Sequence, residues 1–149
     1  MKKALKVNTD ERGSFTELCR EDWLLSFIAP HDIGEPPTIK QSMMSISNRG
    51  VIRAWHKHKR GQDDLLVVIK GKARIVYVNE ITKRFVEREV SELKPELIYI
   101  PGDHWHGTQA LTGTTTIYFV TKLYDYENPD ELRLPPDHDF GWGTFGWEK

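Results

Sequence analysis

Two histidine-bearing segments constrain this chain more than any other feature. One runs from Gly50 to Gly71 (GVIRAWHKHKRGQDDLLVVIKG) and the other from Ile98 to Gln109 (IYIPGDHWHGTQ). Each reads as a pair of β-strands carrying histidines, with further strands between the two segments. His56 and His58 are two residues apart, so the period-two geometry of a strand puts both side chains on one face. With His106 from the later segment, three imidazoles are expected in one cavity. Arg53 lies three residues before His56, so regular alternation sends it to the other face unless a bulge intervenes.

Strand signals continue through the rest of the chain. Met43–Ser47 alternates apolar and small polar residues, and Asp64–Ile69 is nearly continuous in apolar residues, as in a strand buried on both faces. Gly71-Lys72 breaks that run and Ala73–Val78 resumes it, which reads as a hairpin. Phe85–Val90, Leu97–Ile100 and Thr115–Thr121 follow at short, regular spacing. This pattern predicts an all-β sandwich or barrel. Only Glu21–Ile28 reads as a helix, and a short one. The Gly and paired Pro of Ile33–Thr38 predict a loop, and the segment from Asn128 onward is rich in proline and acidic residues. No internal repeat or domain boundary is visible, so residues 1–149 are expected to form one domain.

Composition excludes several classes. Twenty-one basic residues stand against 22 acidic ones, so there is no basic excess to attract nucleic acid. No run of about 18 apolar residues exists to span a membrane. A lone cysteine, Cys19, cannot form an internal disulfide and fits a reducing compartment. The N-terminus lacks an apolar stretch of signal-peptide length, so a cytoplasmic location is expected. Four aromatic residues lie among the last ten, and such an end is expected to pack onto the barrel.

Several polar residues carry possible chemistry. His56, His58, Asp64 and His106 form a donor set suited to Fe, Mn, Ni or Zn. The alternative places His58 toward solvent and pairs Asp64 with a lysine or arginine. Arg53 suits either a structural ion pair or an anion, which its guanidinium fork would grip. Tyr118 sits in an apolar strand, where a tyrosine is either core or a hydroxyl held for use. Asp137 lies in a proline-rich loop, where an acid is ordinarily solvated.

Taken in order, the segments DERGSFTE, QSMMSIS, GVIRAWH, GQDDLLVVIKG, IPGDHWHGTQAL and TIYFVTKLYDYENPDELRLPPDHDFGW resemble the dTDP-4-dehydrorhamnose 3,5-epimerase family, the RmlC type of cupin. That resemblance covers most of the chain and implies a jelly-roll β-barrel with few short helices. It implies His56 as the catalytic base and Asp137 as the acid that orients it, with Asp139 a close second candidate. Tyr118 is implied as the acid that returns a proton from the opposite face. Arg53 would lie beside the base and His106 near the sugar or phosphates, with His58 in the same substrate-binding group. Arg12, Phe15, Glu17 and Gln41 fall where the family holds the nucleotide, and Tyr124 falls near its base-stacking tyrosine.

The implied activity is epimerisation of a nucleotide-linked 4-keto-6-deoxyhexose, dTDP-linked in the family, through an enolate and without metal or other cofactor. A homodimer formed by exchange of N-terminal strands is also implied, with Arg12 to Glu17 serving the partner's site. The chain departs from the family at Asp64, where a lysine is usual, and at Ala54, His58 and Met43, where glycine, glutamine and asparagine are usual.

Two other readings stay open. HKHK followed by glutamine and an apolar strand is similar to the HAHK segment of sugar-nucleotide 3,4-ketoisomerases. The other is a metal-binding or non-catalytic cupin using His56, His58, Asp64 and His106.

Overall fold

The computed structural model describes residues 1–27 and 38–147, and the expected loop over 33–38 lies outside them apart from Thr38. Among these residues, twelve strands and one helix follow in chain order. They are β1 (Lys2–Ala4), β2 (Val7–Asp10), β3 (Gly13–Thr16), α1 (Glu21–Phe27), β4 (Gln41–Ser47), β5 (Ile52–His58) and β6 (Asp64–Lys70). After these come β7 (Lys72–Asn79), β8 (Arg84–Ser91), β9 (Glu96–Ile100), β10 (Trp105–Ala110), β11 (Thr114–Val120) and β12 (Glu131–Arg133). The strands form two five-stranded sheets, ordered β1-β9-β6-β11-β4 and β12-β5-β10-β7-β8, plus a separate β2–β3 hairpin. All pairings are antiparallel. The face-to-face sheets are the all-β sandwich that the strand spacing predicts, in the jelly-roll form that the family resemblance implies.

Three apolar layers hold this arrangement, because burial of each large aliphatic side chain stabilises by about 1.5–3 kcal/mol. Between the sheets, Leu66, Val68, Ile98 and Ile100 of the first meet Ile75 and Tyr77 of the second. On the outer face of the first sheet, Leu65, Val67, Leu97 and Tyr99 pack under Leu24 and Phe27 of α1. β6 is thus buried on both faces, which explains its unbroken apolar run. Over the outer face of the second sheet, Trp55, Val76, Val78 and Trp105 are covered by Phe140, Trp142, Phe145 and Trp147. The aromatic C-terminal segment is therefore a third wall of the core.

One expectation is corrected. The runs flanking Gly71 do not pair as a hairpin, since β6 and β7 belong to different sheets. The chain crosses between layers at Gly71, whose φ of 76° favours glycine. A Cβ there would lie 2.1 Å from the carbonyl oxygen of Gly113. The same holds for both histidine-bearing segments: β5 and β6, and likewise β9 and β10, are split between the sheets rather than paired with each other. Alternating hydrophobicity marks strands but not their partners, and a tight turn serves a hairpin and a sheet-to-sheet corner equally.

Candidate active site

β5 and β10 run side by side at the centre of the second sheet, with His56 opposite His106. Thr108 stands opposite Arg53, so Ala54 and Trp55 on β5 share one partner position, Gly107. This is the bulge that the Arg53–His56 spacing requires, for it returns both side chains to one face. Trp55 turns outward into the aromatic layer, and Arg53 and His56 line the cavity. Gly107 permits the close approach, since a Cβ there would lie 2.3 Å from the Cβ of Ala54.

Asp63 ties the two histidine-bearing segments together. Its carboxylate accepts from the Gly102 N–H at 2.9 Å and from the Tyr99 hydroxyl at 2.9 Å. The backbone N–H of His58 donates to the carbonyl of Gly102 at 3.2 Å. These bonds seat Asp64, at the head of β6, against His58 and His106 of the facing sheet.

The cavity between the sheets has a volume of about 320 Å³. Arg53, His56, His58, His106 and Thr108 line it from the second sheet, and Gln41, Met43, Asp64, Leu66 and Tyr118 line it from the first. Tyr124, Asp130 and Glu131 close one side. Of the residues expected at the site, His56, His58, His106, Arg53, Gln41, Tyr118 and Tyr124 are therefore brought together. Gln41 also accepts the Tyr124 N–H at 2.8 Å, fixing the mouth of the cavity.

Asp137 is not among them. It is exposed, and the preceding residue, Pro136, accepts the indole N–H of Trp55 at 3.2 Å. Trp55 faces away from the cavity, and among the described residues no hydrogen bond or ion pair joins Asp137 to His56. Arg12, Phe15 and Glu17 also lie apart. Arg12 pairs with Asp10 at 2.5 Å and Glu17 with Arg20 at 3.3 Å, and Phe15 is 66% exposed on the projecting hairpin.

Inside the cavity the carboxylate that meets the imidazoles is Asp64. It lies 3.1 Å from His106 Nε2, 3.4 Å from His58 Nε2 and 4.0 Å from His56 Nε2. The His56 and His106 rings are 3.9 Å apart between centroids. Among the described residues these four groups form a cluster whose donor atoms all lie within 4.8 Å of one another. Only His56 presents much of its side chain to the cavity space, at 26% exposure against 3% for His58 and 3% for His106.

Burial, followed by the neighbouring His106, holds the His56 pKa well below the usual imidazole value, leaving a neutral ring with a free lone pair. Burial is the largest single influence on His58 and works against charge, but Asp64, Asp130 and Glu131 together outweigh it and raise that pKa. Burial alone would raise the pKa of Asp64, yet the approach of His106 and His58 reverses this and keeps it an anion.

Gln62 lies beside this cluster, and two further polar groups, Asp130 and Glu131, carry no site signal in the sequence. Gln62 donates to Asp64 Oδ1 at 2.8 Å. Asp130 accepts the Arg60 N–H at 2.6 Å and turns its other oxygen toward His58 Nδ1, 3.8 Å away. Glu131 pairs with His58 across β12 and β5. Asp130 and Glu131 sit in the proline- and acid-rich stretch, which reads locally as solvated.

The profile of the family described as dTDP-4-dehydrorhamnose 3,5-epimerase matches residues 2–145. The chain is 37% identical over 140 residues to a probable low-salt glycan biosynthesis epimerase of Haloferax volcanii, covering 89% of this chain and 84% of that protein. It is 36% identical over 152 residues to a spore coat polysaccharide biosynthesis protein of Bacillus subtilis, covering 95% of this chain and 93% of that one. Its fold is similar to a crystal structure of a 3'-monoepimerase from Streptomyces bikiniensis in complex with dTDP-quinovose. The TM-score is 0.79 at 21% identity, over 94% of this chain and 72% of that one.

Proposed function

The chain belongs to the dTDP-4-dehydrorhamnose 3,5-epimerase family, whose members are epimerases of the isomerase class, and on that premise we propose that it inverts C3, C5 or both in a nucleotide-linked 4-keto-6-deoxyhexose. The observation that carries this reading is the placement of His56 and Tyr118 on facing sheets of one cavity. A keto group at C4 makes the C3 and C5 protons acidic, because the carbanion delocalises onto the keto oxygen as an enolate. His56, neutral and facing the cavity space, takes such a proton. Inversion needs a proton delivered to the opposite face of the same carbon, and the Tyr118 hydroxyl lies across the cavity to give it. Arg53, held by its Nε to Ser47 Oγ at 3.1 Å, offers its remaining N–H groups to an anion.

The dTDP moiety of the Streptomyces complex supports a nucleotide-linked substrate. Tyr124, 4.9 Å from Tyr126 between ring centroids, supplies an aromatic face at the cavity mouth for its base. The hairpin residues Arg12, Phe15 and Glu17, absent from their own chain's cavity, reach a nucleotide in this reading as part of a dimer.

Incubation with dTDP-4-keto-6-deoxyglucose in D2O, followed by proton NMR, tests the proposal. Deuterium entering C3 or C5 with inversion there is the expected result. A keto group moved to C3 would establish the ketoisomerase instead, and no exchange with this or other nucleotide-linked 4-keto sugars would remove the epimerase reading.

A further inference from the structure

The aromatic end of the chain touches the neighbours of two site histidines from the side away from the cavity. On β5, Trp55 turns outward where the next residue, His56, turns inward, and on β10 Trp105 and His106 divide in the same way. Phe140 packs against both tryptophans, its ring centroid 5.5 Å from that of Trp55 and 6.4 Å from that of Trp105. Trp147 folds back onto Trp55, with the ring centroids 5.1 Å apart. Its indole N–H donates to the Pro136 carbonyl at 3.1 Å, and the Trp55 indole N–H donates to that same carbonyl at 3.2 Å. The main chain of Trp55 is held by this segment too. Its N–H donates to the Leu134 carbonyl at 2.8 Å, and its carbonyl accepts the Leu134 N–H at 3.0 Å.

Trp55 is the outward residue of the bulge that brings Arg53 and His56 to one face. A bulge interrupts the ladder to the neighbouring strand, so the ladder alone does not fix the residues within it. Here the N–H, the carbonyl and the indole N–H of Trp55 all end on Leu134 and Pro136. Successive side chains of a strand point to opposite faces, so a tilt of Trp55 on the outer face becomes a tilt of His56 on the inner one. A layer that served burial alone would need no directed hydrogen bonds. Two indole N–H groups meeting one carbonyl give this layer a defined orientation as well as apolar contact, since a carbonyl oxygen has two lone pairs to offer.

We propose that the segment Leu134–Trp147 positions the base, and that Trp147 is the positioning residue that locks it onto Trp55 and so sets the angle at which His56 meets the cavity. Neither Trp147 nor Phe140 lines the cavity, so their effect passes through Trp55. The role in turnover rests on the epimerase reading, but the control of the His56 ring does not.

The test compares Trp147→Ala and Trp147→Phe with the wild-type chain in two measurements. One is steady-state turnover of dTDP-4-keto-6-deoxyglucose. The other is the imidazole resonances of His56 and His106 by NMR, recorded without substrate well below the unfolding temperature. A base misplaced by about 1 Å loses up to about 10²-fold in rate, so kcat in Trp147→Ala is expected to fall by about 10- to 100-fold with KM little changed. The His56 resonances should shift in the same variant. Trp147→Phe keeps a ring against Trp55 and should recover most of kcat. Should Trp147→Ala fail to fold, Trp147→Leu takes its place with the same two readouts. Wild-type kcat and unshifted His56 resonances in the folded variant would overturn the proposal, as would a loss confined to KM or to thermal stability. If the wild-type chain turns over no 4-keto sugar, the epimerase reading fails, and the resonances alone decide whether Trp147 sets the His56 ring.

Discussion

At the scale of residues, three histidines share one cavity and differ in what surrounds them. His58 and His106 are sunk into the wall, His106 held through both ring nitrogens and His58 through Nε2, whereas His56 meets the space a ligand would fill. A base must reach its proton, so the cavity-facing ring is the one placed to act. Asp137, which the resemblance makes the partner of that base, is exposed and does not line the cavity. Its replacement by alanine is expected to change deuterium exchange by no more than about twofold, the usual scale of a surface substitution away from such features. A loss of a hundredfold in that variant would return Asp137 to the site. The polar residues around the imidazoles were only partly legible. His56, His58 and His106 lie in patterned strands and could be found. Asp130 is 72 positions beyond His58 in sequence and sits in a stretch whose composition signals solvent, so its burial beside His58 depends on β12 pairing with β5, which nothing local announces.

At the scale of elements, the site depends on one irregularity. The bulge at Ala54–Trp55 is what lets Arg53 and His56 share a face while Trp55 anchors the outer aromatic layer. The spacing of those residues shows that a bulge is needed, but the compensating glycine on the facing strand is not visible without the register. Gly107→Ala tests the arrangement. Its methyl group would meet the Ala54 Cβ at 2.3 Å, and this contact is backbone-proximal on both sides. A loss of roughly 1–3 kcal/mol in urea unfolding, typical of overpacking, is expected together with weakened exchange from the displaced His106. Wild-type stability and activity in that variant would show that β5 and β10 are not so closely opposed. Strand positions were legible from alternation throughout, and the pairing of strands was not. Gly71 illustrates the reason: the same glycine turn serves a hairpin and a corner between sheets, and only the distant partners of β6 and β7 distinguish the two.

At the scale of the whole molecule, the β2–β3 hairpin bonds only within itself in the sheet topology and leaves Phe15 and Val7 exposed, and the edge strand β4 exposes Met44 and Ile46. Such apolar surface calls for a second copy. Light scattering is expected to give twice the mass of the 17.3 kDa chain, shifting to a single chain in Phe15→Asp. A monomer at micromolar concentration in the wild type would detach Arg12, Phe15 and Glu17 from any role in nucleotide binding. The central claim concerns the two faces of the cavity, one carrying the base and the other the acid. It is tested most directly by comparing wild type, His56→Asn and Tyr118→Phe with dTDP-4-keto-6-deoxyglucose in D2O. The account predicts that His56→Asn loses deuterium uptake by about 10²- to 10⁴-fold, the usual worth of a general base. Tyr118→Phe should still take up deuterium but without inverting the carbon. Undiminished uptake in His56→Asn, or full inversion in Tyr118→Phe, would contradict it.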